Sequence, residues 1–151
     1  MIRVVEGRID VEPGLSLVDS LLDELRSRYD AEDDDAPSAD DLAPPLGIFF
    51  VVFQDDVAIG CGGLKHFGDG IGEVKRMYVV PEERRCGVAR LVLSHVEAEA
   101  RERGYRELRL ETGALQPEAI ALYTSAGYEL IPCWGVYEHA PWSRCMAKRV
   151  Q

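Results

Sequence analysis

Residues able to do chemistry crowd into one continuous stretch, Glu73-Val-Lys-Arg-Met-Tyr-Val-Val-Pro-Glu-Glu-Arg-Arg-Cys-Gly-Val-Ala-Arg90. Val74, Tyr78, Val79 and Val80 suit a buried strand, and Pro81 ends it. Gly87 then opens an apolar-periodic helix beginning Val88-Ala-Arg-Leu-Val-Leu. The first turn of a helix has backbone N–H groups without intrahelical acceptors and carries the positive end of the helix dipole, so it suits an anion. Arg84, Arg85 and Arg90 add positive charge around it. A mononucleotide loop would need Gly-Lys-Ser/Thr at the helix start, and a dinucleotide loop three spaced glycines; neither is present.

What stands there instead is Arg84-x-x-Gly87-x-Ala89, which has the pattern Gln/Arg-x-x-Gly-x-Gly/Ala. It resembles the acetyl-CoA pyrophosphate loop of the GNAT superfamily of N-acetyltransferases. Two further segments carry the resemblance in the right order. Glu73 to Val80 is similar to the family's central strand, and Ala119-Ile-Ala-Leu-Tyr-Thr-Ser-Ala-Gly-Tyr128 is similar to its later helix. The likeness is fullest from Leu46 to Ile131.

The resemblance implies acetyl-CoA as cosubstrate, no metal, and transfer of acetyl to a primary amine by direct attack on the thioester. Backbone N–H groups of Arg85, Cys86, Gly87, Val88, Ala89 and Arg90 are expected to hold the pyrophosphate, with Arg84 opening the motif and Cys86 where the family tends to have glycine. The backbone of Met77, Tyr78 and Val79 is expected to pair with the pantetheine and aim an N–H at the acetyl carbonyl. Gln116 is expected to touch the pantetheine or the loop, at a position where many relatives carry asparagine.

Tyr123 matches the family's tyrosine that protonates the leaving thiolate. A phenol with the ordinary pKa of about 10 is protonated at neutral pH, as an acid must be. With Ile120 and Leu122 beside it, Tyr123 also reads as a core aromatic, and Tyr78 and Tyr128 read as packing. An alkylamine with a pKa of about 10.4 must lose a proton before it attacks. Glu73, Glu111 or water are the candidates for that base, with Glu73 preferred. The acceptor is read as a small-molecule amine, with a peptide or protein amine as the alternative. A CoA-binding sensor without turnover and a phosphate-binding interaction domain are the readings from other classes.

The elements that must position these groups follow from periodicity and breakers. Ile2 to Ile9 alternates like an edge or second strand, and Leu15, Val18, Leu21, Leu22 and Leu25 mark an amphipathic helix to about Tyr29. Leu46 to Phe53 and Val57 to Leu64 form a hairpin, and Gly68-Asp-Gly70 turns the chain into the strand ending at Val80. Gly60, Gly62 and Gly63 indicate a bulge or a close approach rather than a nucleotide loop, because no helix starts after them. The helix from Gly87 to Arg103 should turn Val88, Leu91, Val92 and Val96 to the sheet and Glu97, Glu99 and Arg101 outward. A short strand Glu107 to Glu111, a helix from Pro117 to Ala126, a strand from Tyr128 and a last strand Cys145 to Val150 complete an α/β (α+β) domain. The family's fold has a mixed, largely antiparallel sheet flanked by helices, with its two central strands splayed.

A chain of 151 residues, 46% hydrophobic, suits one domain spanning residues 1–151. Its net charge of -10 argues against a nucleic-acid partner and favours a cationic acceptor. Asp30 to Asp41 holds seven acids and no base, and reads as a solvated loop bordering the acceptor site. No apolar run is long enough for a signal peptide or membrane span, so a cytoplasmic monomer or homodimer with no membrane partner is expected. Cys61, Cys86, Cys133 and Cys145 have no metal-ligand spacing and read as free thiols. His66, near a hairpin end, reads as structural or solvated.

Overall fold

The computed structural model describes residues 1–29 and 36–151. The first six residues of the acidic run lie outside the described residues. Among the described residues, seven strands form one sheet in the order β1-β2-β3-β4-β5-β7-β6. They are β1 (Ile2–Glu6), β2 (Ile48–Gln54), β3 (Val57–Gly68), β4 (Ile71–Val79), β5 (Glu107–Gly113), β6 (Glu129–Ile131) and β7 (Ser143–Arg149). The α-helices of the described residues, α1 (Gly14–Tyr29), α2 (Val88–Glu102) and α3 (Pro117–Ser125), flank it. Every strand pairing is antiparallel except β4 with β5. The expected mixed, largely antiparallel sheet is therefore the one observed.

The parallel pair is short. Ile71, Gly72 and Glu73 face Glu107, Leu108 and Arg109, and pairing stops there although β4 runs on to Val79 and β5 to Gly113. The two strands part just beyond Glu73. A bulge in β4 accompanies the split: Cys61 faces Tyr78 while Gly63 faces Lys75, so three steps of β4 span two of β3. Arg76 adopts φ 59° within it. An extra residue bends a strand and re-aims its backbone, which is how β4 leaves its neighbour.

Apolar faces on both sides of the sheet fix the helices. Val88, Val92, Leu93, Val96 and Ala100 of α2 pack with Ile48, Phe50, Leu64 and Val74 on one side, and Leu17, Val18 and Leu21 of α1 pack with Phe49, Val51 and Cys61 on the other. Gly62 explains the interrupted apolar pattern of β3. A Cβ there would lie 2.6 Å from Val92 Cγ1 and would overlap Met77 Sδ, so the missing side chain admits both α2 and the bulged strand.

Four expectations change. In α1, Leu17 is buried and Leu15 is 41% exposed, because Gly14, Leu17, Val18 and Leu21 form the buried stripe at helical spacing and Leu15 falls off it. In α2, Leu93 is buried where Leu91 was expected, and Glu97 is buried rather than outward. Cys133 and Cys145 are not free thiols but a disulfide, with Cα atoms 5.2 Å apart. The antiparallel pairing of β6 and β7, which sets Ile131 opposite Cys145, brings Cys133 back to β7 across 12 residues of sequence. Spacing rules for metal ligands do not see such a pairing. Cys61 and Cys86 are free, the first buried and the second exposed.

Candidate active site

Two clefts open beside the splayed strands and meet. The first, of about 700 Å³, lies over the glycine motif and is lined by Met77, Tyr78 and Val79 of β4, by Arg84, Arg85 and Gly87 to Arg90, and by Ala119, Leu122 and Tyr123 of α3. The second, of about 430 Å³, contains Glu73, Lys75 and Arg76 of β4, Glu111 of β5, Leu21, Leu25 and Tyr29 of α1, and Tyr137, Trp142 and Ser143. Leu21, Met77, Gln116, Ala119 and Tyr123 line both. Tyr123 therefore stands at their junction, while the two carboxylates face only the second.

The motif loop has an anion cradle's geometry. Arg85 and Gly87 have φ of 66° and 84°, left-handed conformations that curl the chain onto the start of α2. Gly87 caps the helix, and its carbonyl accepts from Leu91 N at 3.0 Å. A Cβ at Gly87 would have nothing within 4 Å, so the space above the backbone is open. The first helical N–H groups face it without intrahelical acceptors. Arg85 is exposed, and Arg90 donates to Ser125 Oγ, drawing α2 towards the end of α3.

Arg84 behaves differently from the other two arginines. Its guanidinium is forked onto Glu24 of α1 through Nη1 at 3.1 Å and Nη2 at 2.8 Å, while Nε donates to the Val79 carbonyl at 2.8 Å. Arg28 approaches the same carboxylate at 2.8 Å. The pairing raises the Arg84 pKa and lowers that of Glu24. Arg84 thus ties α1 to the motif loop, and its charge is largely matched by Glu24.

Glu73 is the last paired residue of β4 before the split and is 1% exposed. Lys75, two residues on and on the same face, brings Nζ within 3.4 Å of its Oε2 and donates to the Tyr137 hydroxyl at 3.3 Å. Glu111, two residues past the split on β5, accepts from Ser143 Oγ at 2.8 Å. The carboxylates occupy the two prongs of one fork. Gln116 caps α3, and its amide oxygen accepts from Tyr29 Oη and from Gly113 N, each at 3.2 Å.

Tyr123 is 6% exposed, and burial raises its phenol above the ordinary tyrosine value. A buried phenol resists ionisation because its anion would lose hydration. Tyr78 and Tyr128 are buried in the packing, as expected, although Tyr78 also lines the first cleft. His66 lies against Tyr105 with Nδ1 3.0 Å from its hydroxyl and lines neither cleft. Among the described residues no cluster of histidine, cysteine or carboxylate side chains could hold a metal, and no helix is long and apolar enough to cross a membrane.

Sequence reasoning missed Glu24, Tyr29, Lys75, Tyr137, Trp142 and Ser143. Lys75 was readable, since strand alternation puts it on the face of Glu73. The others arrive from remote segments that no local pattern connects. Ser143 and the aromatic wall of Tyr137 and Trp142 belong to the segment that the Cys133–Cys145 bridge closes.

The chain matches the model of the acetyltransferase (GNAT) family over residues 15–128. It is 36% identical over 135 residues to the IAA acetyltransferase of Azospirillum brasilense, covering 89% of this chain and 88% of that protein. A Klebsiella pneumoniae structure, assigned provisionally as an acyl-CoA N-acyltransferase, superposes with a TM-score of 0.84 at 30% identity and covers 100% of this chain and 99% of that one. The PaiA N-acetyltransferase of Thermoplasma acidophilum, solved in complex with coenzyme A, shares the fold with a TM-score of 0.73 at 16% identity, covering 99% of this chain and 99% of that one. With a family match across most of its length and a bulged, splayed β4 beside a glycine-opened α2, the chain belongs to the GNAT family of acetyl-CoA-dependent acetyltransferases.

Proposed function

We propose that the chain transfers acetyl from acetyl-CoA to the primary amine of a small molecule. The observation that carries this reading is the partition of the clefts: the anion cradle lies in one, both carboxylates in the other, and Tyr123 where they join. An acetyl carrier and an amine could then approach from opposite sides and react at Tyr123. The residues fit the carrier: the first cleft combines an open helix N-terminus with exposed Arg85 for a diphosphate, and a strand edge at Met77 to Val79 for a chain with amide groups. Coenzyme A bound to the PaiA protein supports the same choice.

In this reading Glu73, with Glu111 as the alternative, takes a proton from the ammonium so that the amine nitrogen can bond to the thioester carbon. The backbone of β4 beyond its bulge offers an N–H to the carbonyl oxygen as charge builds there. As the carbon–sulfur bond breaks, Tyr123 gives its proton to sulfur, and the second proton that the nitrogen sheds on becoming an amide restores the phenol. Its raised pKa keeps that proton available throughout the neutral range. A cavity of about 430 Å³ suits a small acceptor, since pockets for whole small molecules begin at roughly 300 Å³.

Tyr123→Phe tests the reading, because it keeps the ring and deletes only the phenol. Turnover, followed as free thiol released with a panel of amines, should fall by about two to four orders of magnitude, with acetyl-CoA affinity by calorimetry little changed. A thioester with a much better leaving thiolate should recover much of the loss. Near-parental turnover would remove the acid assignment. Binding of acetyl-CoA by the parent without release for any amine would favour a sensor.

A further inference from the structure

Glu97 lies on α2, away from both clefts, and is 8% exposed. Lys148 of β7 donates to both of its oxygens at 3.1 Å, and Tyr128 donates its hydroxyl to Oε2 at 2.8 Å. Arg101 stands 4.0 Å from Oε1. The Lys148 ammonium also sits 5.6 Å from the centre of the Tyr128 ring. Burying such a pair has a desolvation cost of several kcal/mol per ion, and apolar side chains of like volume commonly do as well or better for stability. What the cluster accomplishes geometrically is to hold the Tyr128 ring in one orientation, gripped at its phenol and on its flank.

The held ring meets the tyrosine at the cleft junction. Tyr123 and Tyr128 pack edge to face with centroids 5.8 Å apart at 66°, and Tyr128 N donates to the Tyr123 carbonyl at 2.9 Å. Among the described residues the Tyr123 hydroxyl has no hydrogen-bond partner. Its direction is therefore set by how its ring packs, and Tyr128 is the aromatic ring on which it packs.

We infer that Tyr128, fixed by Glu97 and Lys148, is a positioning residue that aims the Tyr123 phenol at the cleft junction. The inference rests on Tyr123 being the proton donor proposed above. A ring free to tilt would displace the phenol by a fraction of its length, and a misplacement of about 1 Å can cost on the order of 100-fold in rate.

The test uses Tyr128→Phe, which keeps the ring and releases it from Glu97, with Lys148→Met as a second route to the same loosening. Each is compared with the parent and with Tyr123→Phe, alone and combined, after circular dichroism confirms folding. In Tyr128→Phe, kcat should fall about tenfold with the KM for acetyl-CoA unchanged, and the loss should shrink on a thioester with a better leaving thiolate. In the Tyr123→Phe background the same change should cost nothing further, because no phenol remains to be aimed. Lys148→Met should show the same pattern. Unchanged kcat in both folded variants overturns the inference. So does a loss that multiplies with that of Tyr123→Phe or ignores the leaving group, either of which marks a purely structural role. Parental turnover in Tyr123→Phe alone overturns the acid reading itself and this inference with it, whereas a damaged Tyr123→Phe beside a parental Tyr128→Phe overturns only the inference.

Discussion

The cleft over the glycine motif is bounded mainly by one run of chain, from Met77 to Arg90, with α3 opposite, whereas the carboxylate cavity gathers side chains from α1, β4, β5, α3 and the segment before β7. The first offers chiefly backbone: a strand edge, a left-handed turn and the unpaired N–H groups of a helix start. The second offers side chains, among them Glu73, Glu111, Lys75, Tyr137 and Trp142. A backbone site tolerates changes of side chain provided the φ values and open space survive. A side-chain site can be retuned one residue at a time, so the first should vary little among relatives and the second should carry the choice of acceptor.

The strongest way to break this contrast is Gly87→Glu. The site is open, but the φ of 84° disfavours any side chain and the new carboxylate would face an incoming diphosphate. Acetyl-CoA affinity by calorimetry should drop ~100-fold or more, which corresponds to losing about 3 kcal/mol of charge-assisted hydrogen bonding. Unchanged affinity in the folded variant would sink the assignment of the diphosphate to this loop. Next in size is Glu73→Gln, expected to lower kcat by about 100-fold, most severely at low pH where the amine is most protonated, while sparing acetyl-CoA affinity. If its pH profile overlays the parent's and that of Glu111→Gln shifts instead, the base sits on the β5 prong of the fork.

A smaller effect should come from the Cys133–Cys145 bridge, which closes the segment that carries Tyr137 and Trp142 to the carboxylate cavity. Changing Cys145 to serine should raise the acceptor KM several-fold and leave acetyl-CoA affinity alone, since Tyr137 and Trp142 lie within the closed segment. An equal loss on both substrates would mean that the two sites are not independent. The bridge has its own signature: in the native, unreduced protein at pH 8 only exposed Cys86 should react rapidly with a thiol reagent. Cys61 is buried and its pKa is pushed up to about 12, so it remains a protonated thiol there. The least effect is expected from Glu24→Gln, which weakens the Arg84 fork without touching the motif backbone. Partial exposure limits the cost to about 1 kcal/mol in chemical unfolding, with acetyl-CoA affinity changed less than about threefold. A large loss of affinity would show that the position of α1, and not the loop alone, shapes the first cleft.

Legibility followed the same division. Glu73 to Arg90 could be read because its information is local: a strand, a proline stop, a glycine with positive φ and a helix start are each set by residues close in sequence. The mixed, largely antiparallel sheet and the opening beside β4 came through the family resemblance, since no local rule makes β4 and β5 separate after Glu73. Glu97 was misread because helical periodicity assigns it to the outer face of α2, and only the approach of Lys148 and Tyr128 from distant segments covers it. Arg84 was read as charge for an anion because its partner, Glu24, lies 60 residues away.

The sequence alone therefore determined the amphipathic elements, the glycine-opened helix and the stock of titratable groups, since the first two depend on neighbours within a few turns or strand steps. Only the tertiary structure decided which of those groups meet. It set Glu73 and Glu111 on two prongs, brought Tyr123 to the junction, matched Arg84 with Glu24 and joined Cys133 to Cys145. The physical reason is that ion pairs, bridges and shared cavities act over a few ångströms of space, whatever length of chain lies between the partners.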